Sequence, residues 1–377
     1  MTRNQLSTSE SIIVDAQSYY EQLIEAIDLA QQEVLLESYI FNNDFIGQAI
    51  SQALENASLR GVQVRVLVDG VGAGNNFEQV AKQLINCGAE VKVYRPLPWR
   101  FDLWPLSLFP AAGIFKLWHL LSYINNRDHR KLVLIDDKLV FLGSFNITKA
   151  HLPKALGGQQ FSDTAIRISG QVTQSVRLAF DTCWYKHSCR TSARYLPESP
   201  FLYNFSRRLR RKQRKDLLQR IKNAKHAVWI ANAYFVPDSE LQDALCTASK
   251  SGVDVRILLP GRSDIFFIPW ASAFFYSTLL EAGIRLYEYQ AGIMHSKTLI
   301  IDDWACIGSS NLNTRSLMHD LEIDYSLQLT ASREQLAINF RDDLSCSEEL
   351  KSDSLDKKHF IQRYLGGLLL IFFSYWV

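Results

Sequence analysis

Two stretches of this chain carry the same reactive side chains in the same order. Asp128–Asn146 reads DHRKLVLIDDKLVFLGSFN, and Met294–Asn311 reads MHSKTLIIDDWACIGSSN. Each has His-x-Lys, four largely apolar residues, Asp-Asp, a strand-like run and then Gly-Ser-x-Asn. His129, Lys131, Asp136, Ser144 and Asn146 match His295, Lys297, Asp302, Ser309 and Asn311 at one offset, which shortens by a residue before the glycine. An imidazole can act as a nucleophile or a general acid. Lys and Asn are donors suited to the oxygens of a phosphoryl group.

The spacing implies the elements that hold these groups. Side chains alternate faces along a strand, so a His and a Lys two residues apart point the same way. The run behind each pair, Leu132–Ile135 and Thr298–Ile301, is apolar or β-branched, as a buried strand requires. Asp-Asp-Lys and Asp-Asp-Trp then read as turns into a second strand that ends at Gly-Ser. Asp136 and Asp302 lie seven residues past the His, beyond the strand end, and are read as stabilising the turn while completing the motif.

If the two halves face each other, Lys131, Lys297, Asn146 and Asn311, with Ser144 and Ser309 beside them, would hold one phosphodiester. One His would attack phosphorus to give a phosphohistidine. The other would protonate the leaving alcohol and then deprotonate the acceptor. The lysines neutralise the charge that a divalent cation would otherwise take, so the scheme calls for no metal and no cofactor. The sequence shows no Walker loop or carboxylate cage.

HxKx4D followed by GSxN, present twice, resembles the phospholipase D superfamily. Glu37–Phe41, Gly61–Asp69 and Tyr234–Asp238 match it as well, so the resemblance covers nearly the whole chain. Within it the chain is similar to bacterial cardiolipin synthases, whose second motif runs Gly-Ser-x-Asn-x-x-x-Arg-Ser toward an acidic residue, as Gly308–Ser316 and Glu322 do here. The resemblance implies His129 as nucleophile and His295 as acid and base. It also implies an acidic residue downstream of the opposite motif orienting each imidazole: Glu322 for His129 and Asp163 for His295. One departure stands out: Ile147–Phe161, after the first motif, lacks the Arg-Ser of the second. That fits one half taking a donor headgroup and the other an acceptor.

At 377 residues, 47% hydrophobic and 21% charged, the chain suits two domains or one duplicated domain. A net charge of +2 selects no partner by bulk electrostatics. The six cysteines form no CxxC pair and read as reduced thiols of a cytosolic protein; Cys183, Cys189 and His187 lack the second ligand pair that zinc requires. The start MTRNQLSTSESIIVD is not patterned as a signal peptide, and no run of about 20 apolar residues spans a bilayer. For a bacterial source, the expectation is a peripheral protein with its machinery on the cytoplasmic face of the membrane.

Helical and strand patterns alternate in both halves, and Gly61-Val-Gln-Val-Arg is nearly copied by Gly252-Val-Asp-Val-Arg. The expected fold is α/β: tandem phospholipase D-like α/β/α sandwich halves related by a pseudo-two-fold, with a largely parallel sheet and one shared active site. The expected division is residues 1–198, 199–355 and an apolar tail 356–377, with the half boundary around residues 192–204. An aromatic insertion, 95–126, includes Trp99, Phe101 and Trp104, and its counterpart is read as 262–276, with Phe266, Phe267 and Trp270. Either both pack on neighbouring cores or they form an apolar mouth for acyl chains. The basic segment 207–225 is a solvated linker helix or a contact for anionic lipid. The tail LGGLLLIFFSYWV is too short to span and either docks on the body or lies among headgroups.

Three functions follow. The first is a phosphatidyltransferase making cardiolipin from phosphatidylglycerol and a second phospholipid, in peripheral contact with an anionic membrane. The second is a hydrolase of the same superfamily, either a phospholipase D or a nuclease. A nuclease would want the basic stretch beside the cleft and little apolar overhang, so nucleic acid is not favoured as a partner. The third, an inert tethering protein, sits poorly with intact His, Lys and Asn in both halves.

Overall fold

The computed structural model describes residues 8–109, 126–170, 174–185, 199–351, 364–367 and 370. The half boundary before residue 199, Cys189 with His187, residues 110–125 of the insertion and most of the tail lie outside them. The first half runs β1 (Ser9–Ile13), α1 (Ala16–Asp28), β2 (Glu33–Ser38), α2 (Phe45–Leu59), β3 (Gln63–Asp69), α3 (Phe77–Asn86) and β4 (Glu90–Tyr94). After the insertion come β5 (Leu132–Ile135), β6 (Leu139–Gly143), β7 (Phe161–Ser162), β8 (Ala165–Ser169) and α4 (Gln174–Trp184).

The second half repeats the plan. It runs β9 (Phe201–Tyr203), α5 (Arg207–Asn223), β10 (Ala227–Asn232), α6 (Ser239–Lys250), β11 (Asp254–Pro260), α7 (Ile268–Glu281) and β12 (Arg285–Tyr289). It closes with β13 (Ile293–Met294), β14 (Lys297–Ile301), β15 (Trp304–Gly308), α8 (Thr314–Met318), β16 (Ile323–Ser326), α9 (Thr330–Ser345) and β17 (Ser347–Leu350). Local chemistry sets the helix starts. Asp15, Asp44, Ser206 and Asp238 each cap a first turn by accepting a backbone N–H, as N-cap side chains do. Gly61 and Gly252, both at φ 90°, let the chain leave α2 and α6 in the left-handed conformation.

Each half builds one sheet. The first has seven strands in the order β1-β8-β6-β5-β2-β3-β4, and the second has eight in the order β17-β12-β11-β10-β14-β15-β16-β9. The sheets are mixed rather than largely parallel. Only β2-β3-β4 and β10-β11-β12 run parallel, and the motif strands add antiparallel to them. The Asp-Asp turn makes each motif an antiparallel hairpin, since so short a connection can only return the chain antiparallel, whereas a parallel step needs a crossover helix.

Helices α1–α3 cover the outer face of the first sheet over a core that includes Leu23, Ile50, Val66 and Phe77. The second sheet has its own outer core around Ile230, Leu245 and Leu279. The inner faces meet in a third core that mixes the halves: Leu134, Leu142 and Ile166 from one, Ala305, Ile307 and Tyr325 from the other, with Trp184 of α4 and Phe340 of α9 at its flanks. Two short parallel contacts then lace the halves together. β7 pairs with β13, and Asp128 bridges to Leu321.

The aromatic segments are not counterparts. Residues 95–126 join β4 to β5, whereas 262–276 lie between β11 and β12, in the loop and first turns of α7. The loop equivalent to 261–267 in the first half is 70–76, and its glycines and alanine carry no aromatic ring. Trp99, Phe101 and Phe266 are nonetheless exposed.

Candidate active site

The two lacing contacts put each motif histidine against the other half. His129 N–H donates to the Leu321 carbonyl at 2.9 Å, and His295 N–H donates to the Ser162 carbonyl at 2.8 Å. Leu321 and Ser162 immediately precede Glu322 and Asp163, so the same backbone pairing delivers a carboxylate to each ring. His129 Nδ1 lies 3.1 Å from both Glu322 oxygens, and His295 Nδ1 lies 2.7 Å from Asp163 Oδ1. All four side chains are buried. With an ionised carboxylate on Nδ1, that nitrogen holds the proton and Nε2 presents its lone pair.

Both imidazoles line one cavity of about 340 Å³, together with Asn146, Asn311, Tyr39, Tyr234, Arg315 and Asp264. Asn146 Oδ1 accepts the Ile40 N–H at 3.1 Å, whereas Asn311 Oδ1 is buried with no hydrogen-bond partner among the described residues. The lysines sit a layer behind. Lys131 Nζ donates to its own His129 carbonyl at 2.6 Å, and Lys297 does the same to the His295 carbonyl. Each ammonium also lies over a tyrosine ring, Lys131 over Tyr39 at 5.2 Å and Lys297 over Tyr234 at 5.8 Å. Those rings in turn pack edge-on against His129 and His295.

Burial governs the charges. It lowers Lys131 to about 7 and Lys297 to about 8, with Glu322 and Asp163 respectively pulling the other way. Burial and the two ammoniums hold His129 well below the usual imidazole range. Burial and Lys297 lower His295 to about 4 against the pull of Asp163. A phosphodiester anion entering here would meet two poorly solvated ammoniums and two neutral imidazoles. That arrangement favours charge developing on phosphorus-bound oxygens.

Ser144 and Ser309 turn away from the cavity. Ser144 bonds the Thr164 backbone, and Ser309 donates to Glu322 Oε2 at 2.5 Å. The glycines before them have a steric reason: a Cβ at Gly143 would collide with the Thr164 carbonyl, and one at Gly308 with the Asp324 carboxylate. Asp136 and Asp302 lie at the far end of the motif strands. Asp136 accepts the N–H groups of Gln31, Gln32 and Glu33, and Asp302 those of Lys225, His226 and Ala227. Among the described residues no group of three or more His, Cys, Asp or Glu side chains is arranged to hold a metal ion.

Sequence reasoning passed over several side chains at the cavity. Tyr39 and Tyr234 stood inside the segments matched to the family, without a role. His151 and Ser316 each lie five residues past a motif asparagine, a register visible in the sequence once the two motifs are superposed. Arg315 and Asp264 have no counterpart at that register: the first half carries Ala150 and Ala73 there.

Paired halves, each completing the other's histidine over one cavity, define an enzyme of phosphodiester exchange. Residues 23–184 and 217–344 match the family described as "Cardiolipin synthase, PLD-like domain". The cardiolipin synthase of Alkalihalophilus pseudofirmus is 30% identical over 372 residues, covering 95% of this chain and 70% of that protein. That of a Geobacillus strain is 30% identical over 96% of this chain and 70% of its own length. The crystal structure of phosphatidylserine synthase from Haemophilus influenzae shares the fold with a TM-score of 0.68 at 14% identity, covering 99% of this chain and 94% of that one. The chain belongs to the cardiolipin synthase family of phospholipase D-like proteins, and it is a phosphatidyltransferase of that superfamily.

Proposed function

We propose that the chain makes cardiolipin from two molecules of phosphatidylglycerol, with His129 as nucleophile and His295 as acid and base. The observation that carries this reading is the single cavity lined by both imidazoles, each held by a carboxylate of the other half. His129 Nε2 attacks the donor phosphorus; a P–N bond forms and the P–O bond to glycerol breaks. The bound phosphodiester anion favours the His295 imidazolium, which takes a solvent proton at Nε2 and gives it to the departing glycerol oxygen. The hydroxyl of a second phosphatidylglycerol then attacks the phosphohistidine, His295 takes its proton, and His129 leaves. Lys131, Lys297, Asn146 and Asn311 hold the non-bridging oxygens throughout.

The substrates are phospholipids, and the surface offers a way to meet them. Arg207, Arg208, Arg211, Lys212, Lys215 and Lys222 of α5 are exposed along one side of the helix, while Leu218 and Ile221 anchor the other. Such a stripe suits an anionic bilayer. Among the described residues no helix is long and apolar enough to cross a membrane. We assign peripheral attachment to the cytoplasmic face of a bacterial membrane, with exposed Trp99, Phe101 and Phe266 reaching toward the lipid.

Purified protein incubated with phosphatidylglycerol vesicles, followed by mass spectrometry of the lipids, tests the reading. Cardiolipin with stoichiometric glycerol is expected. Phosphatidic acid alone would replace transfer by hydrolysis, and no lipid turnover would overturn the assignment.

A further inference from the structure

A third histidine belongs to this site, and neither the family motif nor the pairing of the halves accounts for it. His151 is 2% exposed, lines the same cavity and lies 6.1 Å from the His295 ring, centroid to centroid. Its Nδ1 is 2.5 Å from Asp163 Oδ2, while His295 Nδ1 is 2.7 Å from Asp163 Oδ1. We propose that His151 is a positioning residue for His295, acting through the carboxylate they share, and that it makes the halves unequal so that His295 carries the proton and His129 attacks. The proposal rests on the paired-histidine reading and adds to it the source of the asymmetry.

Geometry fixes the protonation of His151. The Asn146 backbone N–H donates to His151 Nε2 at 3.0 Å, so Nε2 is the bare nitrogen and Nδ1 carries the hydrogen directed at Asp163. Both oxygens of Asp163 therefore receive a ring N–H, one from each imidazole, which fixes the carboxylate between the two rings. Burial alone would raise Asp163, yet the two imidazoles hold its carboxyl well below the usual range. A carboxylate that stays ionised keeps Nδ1–H on His295 and stabilises the imidazolium formed when Nε2 takes a proton.

The other half is built differently. Ser316 holds the place of His151: its Oγ accepts the Asn311 N–H at 2.8 Å and donates to Glu322 Oε1 at 2.5 Å. Hydroxyl rotors replace a fixed ring, and burial pushes Glu322 up to about 7. A carboxylate near half-ionisation at neutral pH supports an imidazolium on His129 less, and the Lys131, Lys297 and Arg315 charges oppose one. His129 is thereby kept as the neutral ring with a free lone pair.

The experiment reads His295 itself. Full-length protein with carbon-13 labelled histidines is titrated by NMR as wild type, His151→Ala and His151→Asn, with His295→Gln to assign the resonance. Lys297 on β14, Asp264 before α7, Tyr234 after β10, and His129, Lys131 and Glu322 across the cavity face His295 in every variant, so differences report the change at 151. His151→Ala leaves buried Asp163 with one donor fewer, so its carboxyl is held less firmly ionised and supports a charged His295 less; the acid dissociation constant of His295 should rise about tenfold. The pH profile of kcat should move the same way while KM stays put. His151→Asn, whose amide can still donate to Asp163, should return both to within about twofold of wild type. If His151→Ala does not fold, His151→Ser, the residue type of the other half, replaces it.

An unmoved His295 titration overturns the proposal, as does an activity loss of the same proportion at every pH. The titration needs no turnover, so a protein that titrates as stated but makes no cardiolipin would fault the substrate assignment and leave this inference standing.

Discussion

Asp163 lies in the first half of the chain, yet its Oδ1 accepts from His295 Nδ1 of the second half at 2.7 Å. Glu322 returns the relationship at 3.1 Å to His129. Neither half holds a complete histidine site by itself. Asp163→Asn and Glu322→Gln preserve shape but offer an amide where the ring nitrogen needs an ionised acceptor. Each is expected to lower kcat by about 10²–10⁴-fold, comparable to the loss of a general acid or base. Steady-state kinetics beside thermal melts of both variants checks this; activity within a few-fold of wild type in either would count against the crossed pairing.

Asp136 and Asp302 should behave in the opposite way. Each carboxylate gathers three backbone N–H groups at the end of a motif strand, at φ 51° and 49°. Asp136→Ala or Asp302→Ala removes charged hydrogen bonds and places a Cβ residue with no side-chain acceptor in the left-handed region. A loss of about 2–3 kcal/mol is expected in urea unfolding. Turnover of the folded fraction at low temperature should remain within a few-fold of wild type, and Asn, which tolerates that conformation, should recover part of the stability.

How far the sequence revealed this arrangement depends on the range of the interaction. The motif hairpins were legible because their chemistry is local: alternation gives the strand, Asp-Asp gives the turn, and the repeat gives the second copy. The antiparallel addition of those hairpins to a parallel core was not, since alternating helix and strand patterns look alike in either sense. The pairing of 95–126 with 262–276 failed because aromatic content says nothing about which strands a loop connects. His151 was hidden for another reason. Its equivalence to Ser316 lies in shared hydrogen-bonding roles rather than shared chemistry, and no residue scale places a histidine beside a serine.

Arg130 separates catalytic from structural charge at the first motif. It is buried, with Nε 2.9 Å from Asp128 and Nη2 3.0 Å from Glu37. At the same register the second half carries Met294, Ser296 and Ala231, so the ion cluster belongs to one half only. Arg130→Met leaves Asp128 and Glu37 buried without their cation, and about 3–5 kcal/mol of destabilisation is expected by chemical denaturation. Changing Asp128 and Glu37 to Asn and Gln in the same background should restore most of it. A stable single variant would mean that the acids protonate without cost.

Stability against pH follows from the buried groups at the cavity, with opposite signs on its two kinds of charge. Burial raises Asp320 and Glu322 to about 7, so between their ordinary range and neutrality the folded state binds more protons than the unfolded chain. Unfolding free energy contributed by these two falls as pH rises through that window. Lys131 and Lys297 are lowered to about 7 and 8; from there up to the ordinary lysine range the unfolded chain binds more protons, and stability rises with pH. Below neutrality the depressed imidazoles of His129 and His295 oppose the two carboxylates, so the expected signature is the alkaline one: denaturation curves should show stability rising between about pH 7 and 10. In Lys131→Met the alkaline rise should shrink.

The basic side of α5 offers the last check, on how the enzyme meets its substrate. Arg210 and Arg214 are committed to the protein: the first donates to the Met318 and His319 carbonyls at 2.8 Å, the second to Asp238. Arg208, Arg211 and Lys215 are exposed one turn apart along the opposite side, leaving the fold free of their charge. Each contributes about 1 kcal/mol near an anionic surface, so the triple change to Gln should weaken binding to phosphatidylglycerol-rich vesicles by about 10²-fold at low salt. Vesicle flotation measures this. The defect should vanish on neutral vesicles and shrink as added salt shortens the screening length. Because these residues touch neither cavity nor core, turnover of substrate dispersed in detergent should be unchanged. Equal binding of variant and wild type would move the membrane contact to the exposed aromatic residues alone.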